Sequence, residues 1–365
     1  MNCREVPSLA DLCIACLRLF GSNDRVKTTC CTEDGEKQLS ETLPDIPLID
    51  LRSRSTPHMV EACPALIDDI LHSATRHYSR PGIQIADMIS RRWLARCDTP
   101  YKYEIAEIAR RIARPGATML NLSFEWACTT SVNEDPLAGG IRLLRTLDWP
   151  LDSLGRTLIT LIMTGRMGDY VSITWPGFAG VLTAVAKGRF AVAINQPPLL
   201  RTGLGRPADW MATRARVWMR TALPPAHLLR KVMEECASFN EAKEMLTRTP
   251  VALPVFYTLA GLQPGQGCVI ERKADSARIR EGMVTAANHW VDFDHPGDRG
   301  RNSEDRLSAM TELNTAAEPM GWLVAPILNP DTRVAFEANA ATGAFRVQGW
   351  ESSGPATNIL EGTAP

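Results

Sequence analysis

Short apolar runs separated by glycine turns recur in the chain from about residue 127 onwards, whereas residues 60 to 113 follow a helical period. Three stretches are typical of paired strands: "LAGGIRLLRTLDW", "YVSITWPGFAGVLTAVAKGRFAVAINQ" and "RVAFEANAATGAFRVQGW". Hairpin turns are expected at Lys187-Gly188 and at Ala341-Thr342-Gly343. Because the runs are short and apolar, they must pair into sheets that other parts of the chain cover.

Helical periodicity dominates residues 60 to 113. The stretch "YKYEIAEIARRIARPG" carries apolar residues at helical spacings and then stops at an Arg-Pro-Gly sequence; these residues are Tyr101, Ile105, Ile108 and Ile112. Residues 1 to 43 mix cysteines, charges and polar residues without a sustained period, so we expect a weakly ordered leader and linker there. Residues 44 to 127 are therefore predicted to form a mainly helical segment.

A second helical block, at about residues 207 to 247, interrupts the strands. Within it, Ser238 followed by Glu241 has the spacing of a capping box that begins a helix. Strands, helices and more strands predict an α+β protein in which sheets are covered by helices. Residues 128 to 365 are expected to carry the sheets and to form one structural domain with the segment before them.

Charge and hydropathy exclude several classes of partner. The 40 Lys and Arg residues nearly balance the 41 Asp and Glu residues, so nucleic acid is not an expected partner. The longest apolar runs are shorter than the ~20 residues that span a bilayer. The N-terminus has acidic Glu5 and Asp11 ahead of a short apolar run, which is unlike a secretory signal, and a cytoplasmic location is predicted.

The ten cysteines have no regular spacing, and reduced thiols are expected rather than a disulfide framework. Cys13 and Cys16 have the spacing of a metal or redox pair, but a zinc site needs a second pair. The "GQGC" sequence at 265 to 268 lacks the lysine and the spacing of a phosphate-binding loop. Neither a metal nor a cofactor is predicted.

Cys128 lies in "FEWACTTSVNEDPLAGGIRLLRTLDWP", where it is either an ordinary buried thiol or a nucleophile. None of the six histidines stands in a nucleophile motif. If the Ala127–Cys128 peptide were cut, however, Cys128 would gain an α-amine with a pKa of about 7.7 to 8.0, which is a base on the nucleophile's own residue. The same thiol could attack the Ala127 carbonyl and give a thioester that water hydrolyses.

Arg145 and Asp148 follow Cys128 beyond a Gly139-Gly140 turn, which can return a strand beside the first. Residues i and i+3 of a strand do not share a face, so a bulge or the strand's end would have to bring both side chains to Cys128. The alternative is a plain ion pair.

Ordered motifs between about residues 100 and 312 point to a family: "NLSFEWACTTSV", "LLRTLDW", "GFAGVLTAVAKGRFAVAINQ", "SFNEAKEMLTRTPVALPVFYTLAGLQPGQGCVIER", "AANHW" and "NSEDRLSAM". Together they resemble the N-terminal-nucleophile cysteine amidases, which include acid ceramidase, N-acylethanolamine acid amidase and, more distantly, the choloylglycine hydrolases. The positions that match the family's site are Cys128, Arg145, Asp148, Asn195, Gln196, Asn288 and Arg306. Thr146 replaces a usual Asn, and Gln196 stands where the family often has Glu.

The resemblance implies an αββα sandwich of two antiparallel sheets flanked by helices, with Cys128 opening a strand after self-cleavage. It implies that Asp148 orients the Cys128 amine and that Arg145 stabilises the thiolate or holds the charge balance of the site. Arg306 would organise the pocket or bind the substrate carbonyl. Asn288 would form the oxyanion hole with the region of Asn195 and Gln196. A small-molecule N-acyl amide is the implied substrate, and the two fragments are expected to stay associated.

Several of these residues have ordinary alternatives. Asn288 could cap a turn, and Arg306 could pair with Asp305 or Glu304 on a helix. Asn195 and Gln196 could simply end a strand ahead of two prolines.

Tryptophans and methionines alternate with arginines in "ADWMATRARVWMRTALPPAHLLRKVM": Trp210, Met211, Trp218 and Met219. They form either an ordinary amphipathic helix or a gate that admits an acyl chain and makes transient contact with a lipid surface.

Three functions follow from the sequence. The first is a self-processing amidase that cuts a linear amide of a fatty acyl substrate; the others are an acyltransferase that uses the same thioester and a non-catalytic binding protein with the same fold.

Overall fold

The computed structural model describes residues 42–122, 127–198, 205–294 and 302–365. The leader, including Cys13 and Cys16, lies outside these residues. The helices are α1 His58–Ala62, α2 Pro64–Tyr78, α3 Arg80–Arg96, α4 Lys102–Ile112, α5 Ala117–Asn121, α6 Arg206–Met219, α7 Pro225–Glu235, α8 Phe239–Arg248 and α9 Ser303–Leu313. The strands are β1 Leu48–Asp50, β2 Ala127–Glu134, β3 Ile141–Asp148, β4 Ile159–Gly165, β5 Gly168–Thr174, β6 Thr183–Ala186, β7 Phe190–Asn195, β8 Val255–Ala260, β9 Gly267–Arg272, β10 Ala277–Glu281, β11 Val284–Ala286, β12 Thr332–Ala338, β13 Ala344–Glu351, β14 Gly354–Pro355 and β15 Leu360–Thr363.

The strands form two sheets. In the described ranges, one sheet has the order β1-β4-β5-β6-β7-β8-β9-β10, and the other has the order β11-β2-β3-β12-β13-β14, with β15 also paired to β13. Neighbouring strands are antiparallel apart from β1, which runs parallel to β4. The first sheet is therefore antiparallel apart from its edge strand β1.

The two sheets pack face to face through apolar side chains and a few hydrogen bonds. The Thr130 hydroxyl on β2 lies 2.7 Å from the Thr258 hydroxyl on β8, and Arg145 on β3 reaches the Ile194 carbonyl on β7. Helix α9 packs against β2 and β11, while α7 and α8 pack against strands of the larger sheet. The predicted αββα sandwich is confirmed.

Local signals in the sequence explain where elements begin and turn. The β6–β7 hairpin turns at Lys187 and Gly188, and Gly188 has a φ of 71° that glycine adopts without strain. Residues 339 to 343 turn the chain between β12 and β13. The Ser238 hydroxyl accepts the Glu241 backbone N–H at 3.3 Å, as the capping pattern predicts.

The segment before Cys128 is mostly helical, but it also contributes a strand to the sandwich. Residues Leu48–Asp50 form edge strand β1 of the larger sheet. Helix α5 ends at Asn121, whose side chain donates to the Gly177 carbonyl and accepts the Ala179 N–H. These bonds fix the helix that precedes β2 to the loop ahead of β6. Among the described helices, none has both the length and the hydropathy of a membrane span.

Candidate active site

Cys128 is the second residue of β2 and is fully buried on the face that packs against the larger sheet. Its Sγ accepts a hydrogen bond of 3.3 Å from Nη2 of Arg145. Burial raises the pKa of the Cys128 thiol because the thiolate loses its hydration, and the Arg145 guanidinium opposes that rise. Arg145 therefore provides the positive charge that a thiolate at this position would need.

Arg145 is held in place by the larger sheet. Its Nη1 donates to the Leu182 carbonyl at 2.9 Å, and its Nη2 donates to the Ile194 carbonyl at 3.0 Å. Both acceptors are backbone atoms of neighbouring parts of one sheet, so the guanidinium has little freedom to move away from Cys128. The β2–β3 register places Thr130 opposite Arg145 and Leu147 opposite Cys128.

Asp148 lies on the other face of the smaller sheet, at the end of β3. Its Oδ1 accepts a hydrogen bond of 2.9 Å from the Thr332 hydroxyl, and its Oδ2 lies 3.5 Å from Nη1 of Arg306. The pairing of β12 with β3 is irregular between Thr332 and Val334, next to this carboxylate. Cys128 and Arg145 thus share one face of the sheet, and Asp148 lies on the opposite face beside Arg306.

Arg306 joins these two sides. From α9, its Nη1 donates to the Cys128 carbonyl at 2.9 Å and to the Thr129 hydroxyl at 2.7 Å, and its Nη2 donates to Oδ1 of Asn288 at 2.9 Å. Its side chain is completely buried. A surface pair with Asp305 or Glu304 therefore does not describe it.

Asn288 holds the backbone nitrogen of Cys128. Its Oδ1 accepts the Cys128 N–H at 2.9 Å, and its Nδ2 donates to the Gln196 carbonyl at 2.7 Å. Asn288 thus binds the nitrogen that would become the α-amine of Cys128; the orientation of that amine by Asp148, which the resemblance implies, stays a prediction. Asn288 also belongs to the loop that follows β11, so it connects that loop to the start of β2.

Asn195 and Gln196 lie beside this arrangement at the end of β7. The Asn195 Nδ2 donates to the Ala287 carbonyl at 3.2 Å and to the Thr130 hydroxyl at 3.3 Å. In the described part of the chain, Oδ1 of Asn195 and Oε1 of Gln196 are buried without a hydrogen-bond donor. These two oxygens are available to accept hydrogen bonds from a ligand.

The aromatic and methionine residues of α6 are not all described. Trp210 and Met211 belong to this helix, and their side chains lie outside the described residues. Trp218 packs against the main core with the Arg96 guanidinium 5.1 Å from its ring centre, while Met219 is 70% exposed. The described contacts of Trp218 are thus core contacts, and the gate stays a prediction.

An apolar cavity lies next to the site, between the N-terminal helices and the sandwich. Its wall includes Trp149, which follows Asp148, and Leu182, whose carbonyl holds Arg145. The remaining wall is almost entirely aliphatic or aromatic, with side chains from α2 and α5. The chemistry of this wall therefore suits an apolar group.

Three residues that complete the site were not found from the sequence: Leu182, Thr332 and Ser303. Leu182 acts through its backbone carbonyl, which leaves no trace in a side-chain pattern, and Thr332 contacts Asp148 from a distant strand. Ser303 precedes Arg306 by one helical turn and accepts the Asn288 N–H. Within the described ranges, no group of His, Cys, Asp and Glu side chains could hold a metal ion.

Comparisons with known proteins find similarity over parts of the chain. The family described as acyl-coenzyme A:6-aminopenicillanic acid acyl-transferase matches residues 212–333, about a third of the chain. N-acylethanolamine-hydrolyzing acid amidase of Oryctolagus cuniculus is 26% identical over 208 residues, covering 55% of this chain and 56% of the relative. Acid ceramidase of Homo sapiens is 32% identical over 185 residues, covering 47% of this chain and 45% of the relative.

One solved structure is similar to this chain over part of its length. The Caenorhabditis elegans ortholog of N-acylethanolamine-hydrolyzing acid amidase matches with 18% sequence identity and a TM-score of 0.46, over 59% of this chain and 93% of that one. The chain spans about half the length of the curated relatives it matches. The chain is thus similar in sequence to N-acylethanolamine-hydrolyzing acid amidase and to acid ceramidase over about half of its length, and it folds as a two-sheet sandwich covered by helices.

Proposed function

We propose that the chain is a self-processing cysteine amidase that hydrolyses a linear amide bond, with Cys128 as nucleophile. The observation that carries the proposal is the hydrogen bond between Arg145 and the Cys128 Sγ, together with the contacts that Asn288 and Arg306 make to the backbone N and O of the same residue. Thiol, nitrogen and carbonyl of one residue are therefore each held by a separate polar side chain.

Self-cleavage would begin when the Cys128 Sγ attacks the Ala127 carbonyl carbon. The C–S bond forms, the C–N bond breaks, and the thiol proton passes to the nitrogen, which becomes the Cys128 amine. Water then hydrolyses the thioester, leaving the Ala127 carboxylate on one fragment and the free thiol on the other. Arg145 supports the thiolate at the start of this sequence.

Turnover would reuse the same groups on an external amide. The Cys128 amine takes the thiol proton, Sγ attacks the substrate carbonyl, and the proton is returned to the departing amine. The acyl group then remains on Sγ as a thioester until water releases it as a carboxylic acid. The donors that we propose for the developing oxyanion are the Nδ2 groups of Asn195 and Asn288, which in this structure donate to the backbone carbonyls of Ala287 and Gln196.

A fatty N-acyl amide is the substrate class we propose. The apolar cavity beside Leu182 and Trp149 suits a hydrocarbon chain, and the matched relatives are named for N-acylethanolamines and ceramide. A transient contact of α6 with a lipid surface and a cytoplasmic location both stay predictions.

The two fragments are proposed to remain together after cleavage through a buried ionic cluster. Arg230 of α7 donates to Glu104 of α4 at 2.5 Å and to Glu234 at 2.8 Å. The Tyr101 hydroxyl also donates to Glu234 at 2.7 Å. Tyr101 and Glu104 precede the Ala127–Cys128 bond, and Arg230 and Glu234 follow it, so the cluster joins both fragments.

An acyltransferase is the second candidate, because the matching family description names an acyl transfer to an amine. The two functions differ in what attacks the thioester, and one experiment separates them. Purified chain is incubated with N-palmitoylethanolamine, with and without a second amine, and the products are measured by mass spectrometry. The amidase releases palmitic acid in both samples, whereas a transferase forms the new amide; a Cys128→Ala variant should form neither. If the wild type forms no more of either product than this variant, both enzymatic proposals fail for this substrate, and the binding protein is the alternative that remains.

A further inference from the structure

Asn288 is held in place by a serine at the beginning of α9. The Asn288 backbone N–H donates to the Ser303 Oγ at 2.8 Å, and Ser303 is completely buried. Ser303 is the first residue of the helix that carries Arg306 one turn later. This bond therefore joins Asn288, which accepts the Cys128 N–H, to helix α9, whose Arg306 donates to the Cys128 carbonyl.

A histidine directs the serine hydroxyl. The Nδ1 of His289 lies 2.9 Å from the Ser303 Oγ. Because this oxygen accepts the Asn288 N–H, its own hydrogen can be donated to His289 when Nδ1 carries a lone pair. This assignment of the imidazole tautomer follows from the hydrogen-bond network.

We propose that Ser303, oriented by His289, is a positioning residue that keeps Asn288 and Arg306 in register with Cys128. The inference rests on the proposed function of Cys128 and extends it. Asn288 lies in the loop after β11, and Arg306 lies on α9. The Ser303 hydroxyl joins that loop to α9. Their side chains also contact each other, since Nη2 of Arg306 donates to Oδ1 of Asn288. A shift of Asn288 would therefore disturb both groups that hold the backbone of Cys128.

The loss of this hydroxyl should affect chemistry more than substrate binding. A displacement of about 1 Å in a catalytic arrangement costs up to roughly 100-fold in rate. We expect Ser303→Ala to lower the rate of self-cleavage and kcat by about 10- to 100-fold with KM changed less than about threefold. Ser73→Ala is the matched control, since Ser73 is a buried serine on α2 whose hydroxyl bonds to Ser153. It should leave both rates unchanged.

The histidine supplies a rescue test. His289→Asn keeps an acceptor close to the position of Nδ1, and His289→Ala removes it. The account predicts that the asparagine variant keeps most of the wild-type kcat while the alanine variant loses as much as Ser303→Ala. Equal rates for the two variants would overturn the role of His289, and wild-type rates in Ser303→Ala would overturn the role of Ser303.

Hydrogen exchange measures the same contact without relying on activity. In a Cys128→Ala background, the peptide that contains Asn288 should exchange at least about tenfold faster when Ser303 is also replaced by alanine, because its N–H loses its acceptor. Unchanged exchange would contradict the proposal even in an inactive chain. If the wild type is inactive but the exchange changes as expected, the proposed function of Cys128 fails while the contact stands.

Discussion

Arg145 and Asp148 are three residues apart on β3, and their side chains lie on opposite faces of the same sheet. Arg145 donates to the Cys128 Sγ in the space between the sheets, and Asp148 faces Arg306 on the side of α9. The period of a strand requires this separation. It divides the site into an inner part that holds the thiol and an outer part that holds the backbone of Cys128.

The inner part should control the reactivity of the thiol. Replacing Arg145 with methionine removes the positive charge that opposes the effect of burial, so the pKa of the Cys128 thiol should rise further. Alkylation by iodoacetamide, followed at Cys128 by peptide mass spectrometry over a series of pH values, should shift to higher pH in this variant. Cys268, which is buried and also has a raised pKa, is the internal control and should not shift. A profile for Cys128 that does not move would contradict the role of Arg145.

The outer part should control stability through a buried ion pair. Asp148→Asn leaves the guanidinium of Arg306 buried beside a neutral amide, and breaking such a pair costs about 3 kcal/mol in the free energy of unfolding. Urea unfolding in a Cys128→Ala background, where the chain stays intact, measures this difference. Thr332→Val is the milder comparison, because it removes one hydrogen bond to the same carboxylate and should cost about 1 kcal/mol.

Two threonines that face each other on β2 and β3 give a matched pair. Thr129 accepts a hydrogen bond from Arg306, whereas the Thr146 hydroxyl is buried without a partner in the described ranges. Thr129→Val should lower the free energy of unfolding by about 1 to 3 kcal/mol, and Thr146→Val should leave it unchanged or raise it by about 1 kcal/mol. Urea unfolding of both variants tests this, and equal losses would show that the two hydroxyls are equivalent.

Local patterns in the sequence predicted much of the fold because they depend on neighbouring residues. Gly188 marks a hairpin through its φ, and Ser238 begins a helix through a bond to a residue three positions later. The short strand β1 has too few residues to show a period. It forms because the edge of β4 is available to pair with it.

The site was predicted in part, by motif order rather than by pattern. Cys128 and Arg306 come from distant stretches, and only the family resemblance connected them beforehand. The contact of Asn288 with Ser303 joins residues on two sides of a long connection. Such tertiary contacts have no local signature, so the sequence gives no indication of which hydroxyl accepts the Asn288 N–H.

The ionic cluster across the cleavage position should hold the two fragments together. After self-cleavage, Glu104→Ala should release the fragments at a lower urea concentration, since it leaves the largely buried Arg230 with one fewer carboxylate. Glu107→Ala removes an exposed partner of Arg110 on the same helix and should have little effect. Native mass spectrometry across a urea series gives the populations of associated and separated fragments. If the two variants dissociate at the same urea concentration, the ionic cluster is not what holds the fragments together.

The central claim is that Cys128 cuts the chain before itself and then serves as the nucleophile. Intact-mass spectrometry of the purified protein, after incubation over a range of acidic to neutral pH, tests it most directly. The account predicts two fragments, one ending at Ala127 and one beginning with Cys128, and an uncut chain for Cys128→Ala under every condition. A wild-type chain that remains whole throughout, or a Cys128→Ala chain that is cut at the same bond, would contradict it.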